Sequence, residues 1–253
     1  MPYLRMAIES VLTQTRKPDE IIVADDGSID SSRDYLRSLH AIYPEIKTVF
    51  RESNHGVAMN RDLAIRSVSS VFVTTLDGDD LYHGEKIERE LHLLDGSLET
   101  VAYSDVVLIN EHGSTVRLLT FAEFCKLSKD DRLLSLLYRK LPIPRDMMFS
   151  RKLFIESGGF RHNQSLYEDW DLKLRLLQHA RQWKYSPQAG TGYRQHASGL
   201  STTDSLTHLI CQLEVITNNQ DWLRQTPGMD HVFNAMLKLV VDSMGYSSVK
   251  LIK

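Results

Sequence analysis

Between residues 3 and 76 the apolar pattern keeps changing period, from helical to extended and back. "YLRMAIESVLTQT" sets Leu4, Ile8, Val11 and Leu12 on one helical face, and "RKPDE" ends that helix. "EIIVADDGSID" follows as an extended run, Ile21 to Ala24, closed by acids and a glycine. "SSRDYLRSLHAIY" predicts a helix with a serine start signal, "IKTVFRE" a strand, "NHGVAMNRDLAIRSV" a glycine-led turn into a helix, and "SVFVTTL" another strand. Strict alternation of this kind predicts an α/β fold around a mostly parallel sheet. Such a sheet is covered on both faces, which accounts for its nearly continuous β-branched runs. Its ligands collect beyond the carboxyl ends of the strands. Two acidic clusters, "ADDGS" and "LDGDD", stand at that end.

The middle of the chain is less regular. "KIERELHLL" predicts a helix, "TVAYSDVVLIN" a strand, and "EHGS" a turn that could pair this strand with "TVRLL". "LPIPRDMMFSRKLFIESGGF" carries two prolines and a glycine pair, so loops are expected there around a short strand at Met147 to Phe149. "YEDWDLKLRLLQHA" predicts a helix with Trp170, Leu174 and Leu177 on one face. From Ser205 onward, "LTHLICQLEVITNNQDWL" and "HVFNAMLKLVVDSM" predict two more helices. The expected organisation is an α/β half over residues 1–110, a second half over 111–204, and a helical extension over 205–253.

Composition narrows the function. A net charge of -3 with 42% hydrophobic residues gives no basic excess for nucleic acid and no polybasic stripe for a charged membrane. Cys125 and Cys211 lack any CxxC spacing, which argues against a zinc knuckle or disulfide framework and for buried thiols in a reducing compartment. No apolar run approaches the roughly 20 residues of a spanning helix, and the N-terminus has no basic-then-apolar signal region. The expected location is cytoplasmic, with peripheral membrane association left open.

In "LDGDD", Asp77 and Asp79 lie one residue apart at a strand end, where both carboxylates can reach a single hard cation. The same acids would also suit a solvated turn or a helix cap. A calcium loop of the EF-hand type is excluded, because Leu81 and Tyr82 stand where a ligand and the required glycine should be.

The surrounding segments decide between these readings. "SVLTQT", "EIIVADDGSIDSS", "NHGVAMNRDLA", "VFVTTLDGDD", "SGGF", "YEDWDLKLRL" and "YRQHASGLS" occur in an order that resembles the GT-A fold glycosyltransferases of family 2, over roughly residues 3 to 202. These are inverting enzymes with nucleotide-sugar donors. The resemblance implies that Asp26 accepts a hydrogen bond from the base, that Asp25 shapes the base pocket, and that Asn54, Gly56 and Arg61 line the nucleotide side. It implies that Asp77 faces ribose or metal, that Asp79 ligates Mn²⁺ or Mg²⁺, and that Asp80 orients the site or caps the following helix. It also implies that Asp169 is the base taking a proton from the acceptor hydroxyl, with Glu168 as its helper. His196 matches a late histidine that joins the metal or diphosphate in several relatives, in a loop with Arg194 and Ser201. The implied partners are a nucleotide-sugar, a UDP-sugar foremost, and a saccharide, lipid-linked or protein-linked hydroxyl acceptor, as in polysaccharide or glycoconjugate synthesis.

The sequence departs from the family pattern in two places. Asp62 stands where relatives usually carry asparagine. Relatives also begin with an apolar strand that lies mid-sheet, whereas this sequence opens at "MPYLRMAIES". That difference implies a start further upstream, another segment in the strand's place, or a form that folds and binds poorly. A non-catalytic nucleotide-sugar-binding module is therefore the alternative function.

Overall fold

A computed structural model describes residues 2–141, 143–196 and 204–226, together with residue 234. Helix α1 (Pro2–Leu12) opens on a proline, tolerated there because the first amides of a helix have no partner within it. Strand β1 (Ile21–Asp26), helix α2 (Ser32–His40) and strand β2 (Ile46–Arg51) follow. The two strands pair in parallel from Ile21 beside Ile46 to Asp26 beside Arg51. Ile8, Leu36, Leu39 and Ile46 form the core between these helices and strands.

Helix α3 (Val57–Ser67) leads to the short strands β3 (Phe72–Val73) and β4 (Leu81–Tyr82), then α4 (Lys86–Leu94) and the long β5 (Thr100–Ile109). The turn expected at "EHGS" is present, and β6 (Thr115–Leu119) folds back antiparallel on β5. Helices α5 (Ala122–Lys126) and α6 (Lys129–Leu137) and, beyond strand β7 (Phe149–Ser150), helix α7 (Arg151–Glu156) occupy stretches where no helix is expected, whereas β7 overlaps the short strand expected at Met147 to Phe149. Two of these helices start on serine caps: Ser128 accepts the Asp131 amide and Ser150 the Leu153 amide. Helix α8 (Glu168–His179) is followed by β8 (Gln182–Arg194), then α9 (Ser205–Asn218) and α10 (Gln220–Gln225). The second C-terminal helix expected over "HVFNAMLKLVVDSM" lies outside the described residues, apart from the helical Asn234.

The sheet is mixed where the alternation predicts it mostly parallel. Among the described residues β1 pairs with β2, β3 with β7, and β4, β8, β5 and β6 form one ladder in that order. Only the β1–β2 and β5–β8 pairings are parallel. The antiparallel members are short or come from the irregular middle, where periodicity carries least information. Paired hydrogen bonds of 2.8 Å between Ala102 and Met148 join the β3–β7 pair to β5. The main core lies between this sheet and helices α6, α7 and α8, built on Tyr103, Phe124, Phe149, Phe154, Leu174 and Leu176. Trp170 belongs to it and donates its indole N–H to the Leu136 carbonyl at 2.8 Å. No helix of the described residues is long and apolar enough to cross a membrane.

Candidate active site

Past β3 the chain turns at Asp77, where the Asp80 amide donates to the Asp77 carbonyl at 3.1 Å. One carboxylate oxygen from each of Asp77, Asp79 and Asp80 lies within 4.8 Å of the others. Like charges this close repel unless cations answer them. Arg145, in the loop before β7, sets Nε 2.8 Å from Asp77 Oδ2 as an ion pair and donates Nη2 to Asp80. Arg61 on α3 donates to the other oxygen of Asp77.

Asp80 is 1% exposed and also accepts the Arg194 amide at 2.8 Å. Burial lifts its pKa to about 7, against the opposing attraction of Arg145. Asp80 therefore faces inward and organises the turn. It does not cap the next helix, because α4 starts at Lys86 behind Glu85.

Asp79 is the most open of these acids, with a side chain 37% exposed. Its Oδ2 sits 2.9 Å from His196 Nε2, and the His196 ring packs 5.4 Å from that of Tyr3. Ser201, named beside His196 in the sequence, lies outside the described residues. Hard divalent ions take carboxylate oxygens, and Mn²⁺ accepts imidazole as well. Asp79 and His196 supply such a pair, with Asp77 adjacent, so the donor set fits a divalent cation.

Arg61 has a second partner. Its side chain is only 12% exposed, and its remaining amine donates to Glu168, the first residue of α8. Burial raises the Glu168 pKa against the attraction of Arg61. Asp169, next along, accepts Lys173 Nζ at 2.5 Å from one helical turn ahead. Burial alone would raise the Asp169 pKa, but Lys173, Arg61 and Arg145 together hold it at about 2. The negative charge of Asp169 is felt at Asp77. Asp77, Arg61 and Glu168 thus form a continuous ionic chain from the DxD turn to the YED segment.

The residues expected on the base side sit at the ends of β1 and β2. Asp25 is buried toward α2, accepting Arg33 Nε at 2.7 Å and the Ser28 amide at 3.2 Å. These bonds lower its pKa although burial opposes them. Asp26 accepts the amides of His55, at 3.0 and 3.1 Å, and of Gly56, at 2.8 Å. Asn54 accepts the Gly56 amide at 3.0 Å. Gly27 makes this knot possible, since its φ is +84° and a Cβ there would lie 2.8 Å from the Asn54 nitrogen. Asp62, the departure from asparagine, is buried, pairs with Arg66 one turn along α3 at 2.6 Å, and ties α3 to the segment after the glycine pair through the Phe160 amide at 2.9 Å and His162 at 3.1 Å.

Arg145 and Lys173 are the site residues the sequence reading missed. Lys173 left a signal, being four residues beyond Asp169 on a predicted helix. Arg145 left none, since it lies between prolines and methionines and far from its partners.

The family model for glycosyl transferase family 2 matches residues 1–162. The chain belongs to glycosyl transferase family 2. An uncharacterised glycosyltransferase of Rickettsia felis is 28% identical over 177 residues, which take in 69% of this chain and 29% of that protein. The putative teichuronic acid biosynthesis glycosyltransferase TuaG of Bacillus subtilis is 34% identical over 92 residues, 36% of each chain. The chain thus spans well under half the length of these relatives. Among solved structures, S. aureus TarS 1–349 in complex with UDP-GlcNAc superposes with a TM-score of 0.71 at 16% identity, over 99% of this chain and 73% of that one. The fold of this family 2 chain is accordingly the GT-A fold. Glu168, Asp169 and His196 lie beyond the family-model match.

Proposed function

We propose that this family 2 chain is a metal-dependent, inverting glycosyltransferase that moves a sugar from a nucleoside diphosphate, UDP foremost, to a hydroxyl acceptor. The observation that carries the reading is the Asp77–Arg61–Glu168 chain, which sets donor-side acids and an acceptor-side carboxylate on one floor. Asp169 accepts the proton of the acceptor hydroxyl as that oxygen bonds to the anomeric carbon, while the bond from that carbon to the diphosphate oxygen breaks. Attack from the face opposite the leaving group inverts the anomeric centre. With a pKa near 2, Asp169 stays ionised at neutral pH and is a weak base toward a free alcohol. Proton transfer therefore goes with carbon–oxygen bond formation, when the hydroxyl becomes acidic.

Arg61 and Arg145 give the donor end positive charge held in fixed positions by Asp77, Asp80 and Glu168. When held by Asp79 and His196, with Asp77 adjacent, Mn²⁺ or Mg²⁺ supplies Lewis-acid neutralisation of the leaving diphosphate. Asp26, Asn54 and the Gly27 turn would border the base, with Asp25 supporting them from beneath. The proposed division is a donor half over 1–110 and an acceptor half over 111–204, with Arg145 and His196 of the second half reaching back to the donor end. The likeness to TuaG and to UDP-GlcNAc-bound TarS supports a UDP-sugar donor and a role in polysaccharide or glycoconjugate synthesis.

The test is thermal stability with and without UDP and Mn²⁺, then turnover with a panel of UDP-, GDP- and dTDP-sugars. Metal-dependent UDP stabilisation lost in Asp79→Ala, and a kcat reduced about a thousandfold or more in Asp169→Asn, are expected. Full rate in Asp169→Asn would remove it as the base. UDP binding with no turnover of any donor would instead make the protein a binding module.

A further inference from the structure

Tyr167, the residue before the paired carboxylates, has φ +64° and ψ 22°. Bulky side chains seldom enter this left-handed region, and one persists there only where its surroundings over-determine it. Here they do. The Tyr167 hydroxyl lies 2.9 Å from His208 Nδ1 and accepts Gln212 Nε2 at 3.0 Å. The Arg139 guanidinium caps the ring at 4.6 Å, and Trp170 meets it edge-on at 6.0 Å.

The loop leading to Tyr167 is anchored to the same helix. Gln164, 1% exposed, donates to the Cys211 carbonyl at 3.0 Å, and Ser165 Oγ lies 3.2 Å from Cys211 Sγ. His208, Cys211 and Gln212 share one face of α9, by their three- and four-residue spacing. At the far end of α9, Asn219 donates to Asp171 Oδ1 at 2.7 Å. The first turn of α8 is thus gripped from the loop before it and from its own fourth residue by one C-terminal helix.

We infer that α9 is a positioning element for acceptor activation, fixing the left-handed turn at Tyr167 so that Glu168 meets Arg61 and Asp169 faces the acceptor. The inference rests on the roles proposed above for Glu168 and Asp169. It assigns to the C-terminal helix a contribution to rate without any contact with donor or acceptor.

Tyr167→Phe removes the hydroxyl and keeps the ring under Arg139. Expected is a kcat lower by about tenfold or more, with donor KM and the UDP/Mn²⁺ thermal shift unchanged. Amide exchange over residues 165 to 171 should accelerate while that of β1 and α3 stays as in wild type. Adding Gln212→Leu should cost little more, because both changes break one hydrogen bond. A kcat matching wild type, or a loss confined to donor KM, overturns the inference. If Asp169→Asn keeps full rate while Tyr167→Phe loses it, the base assignment fails and the positioning role stands. With no donor turned over, exchange alone decides, and unchanged protection over residues 165 to 171 overturns it.

Discussion

Lys173 sets the basicity of Asp169, and its effect can be measured. The side chain is nearly buried and donates to Asp169 at 2.5 Å. Burial pushes the Asp169 pKa up and Lys173 is the foremost group bringing it down, so losing the ammonium must raise it. In Lys173→Met the acid limb of the kcat–pH profile should therefore move up by about one unit or more. A limb that stays in place would mean that a different group takes the proton. The sequence showed that aspartates stood at strand ends, because residue type and spacing are local facts. It could not show their partners: Arg61 and Glu168 are 107 residues apart, and Arg145 reaches Asp80 across 65. Asp26 illustrates the same gap, since its oxygens hold a backbone turn that no spacing rule announces.

Among the elements, β1 depends on an acid just ahead of it. Glu20 accepts the amides of Ser69 and Ser70 at 2.6 and 2.7 Å, and both their hydroxyls, which pins the start of β1 to the turn before β3. Burial opposes its ionisation, but these bonds prevail and lower the Glu20 pKa from 4.5 to about 2. The unfolded chain therefore binds this proton more tightly. The stabilisation is full above pH 4.5 and lost as pH falls toward about 2. Glu20→Gln should cost about 1–3 kcal/mol at pH 7 in urea melts and converge with wild type near pH 2. The first three helices and strands were legible because each has a single clean period. Strand β8 was not. "QWKYSPQAGTGYR" contains a proline and two glycines, which interrupt a strand pattern, and the ladder absorbs them in register shifts opposite Ser104 and Asp105. Gly190 is required there by contact, since a Cβ would lie 2.9 Å from that of Ser104. Helices α5 to α7 escaped for a related reason: they are short, and tertiary packing outweighs so brief a pattern.

Across the whole molecule, a buried polar spine runs behind the acidic turn. Lys86 Nζ donates to Glu90 at 2.6 Å, to the Asp146 carbonyl at 2.8 Å and to Thr74 at 3.1 Å, and Ser104 donates to the other Glu90 oxygen at 2.6 Å. Asp146 accepts Thr191 and Tyr193, and the Tyr193 ring lies 4.0 Å beneath the Arg145 guanidinium. The spine joins α4, β5, β8 and the loop before β7, so the acidic turn is braced by elements far apart in the sequence. Lys86 has no solvent-accessible surface. An amine-acylating reagent can reach it only when those four segments part, while exposed lysines react at once. The labelling rate of Lys86, followed by peptide mass, should match that of global unfolding and slow when UDP and Mn²⁺ are added. One lysine then serves as an internal clock for the opening of the entire fold.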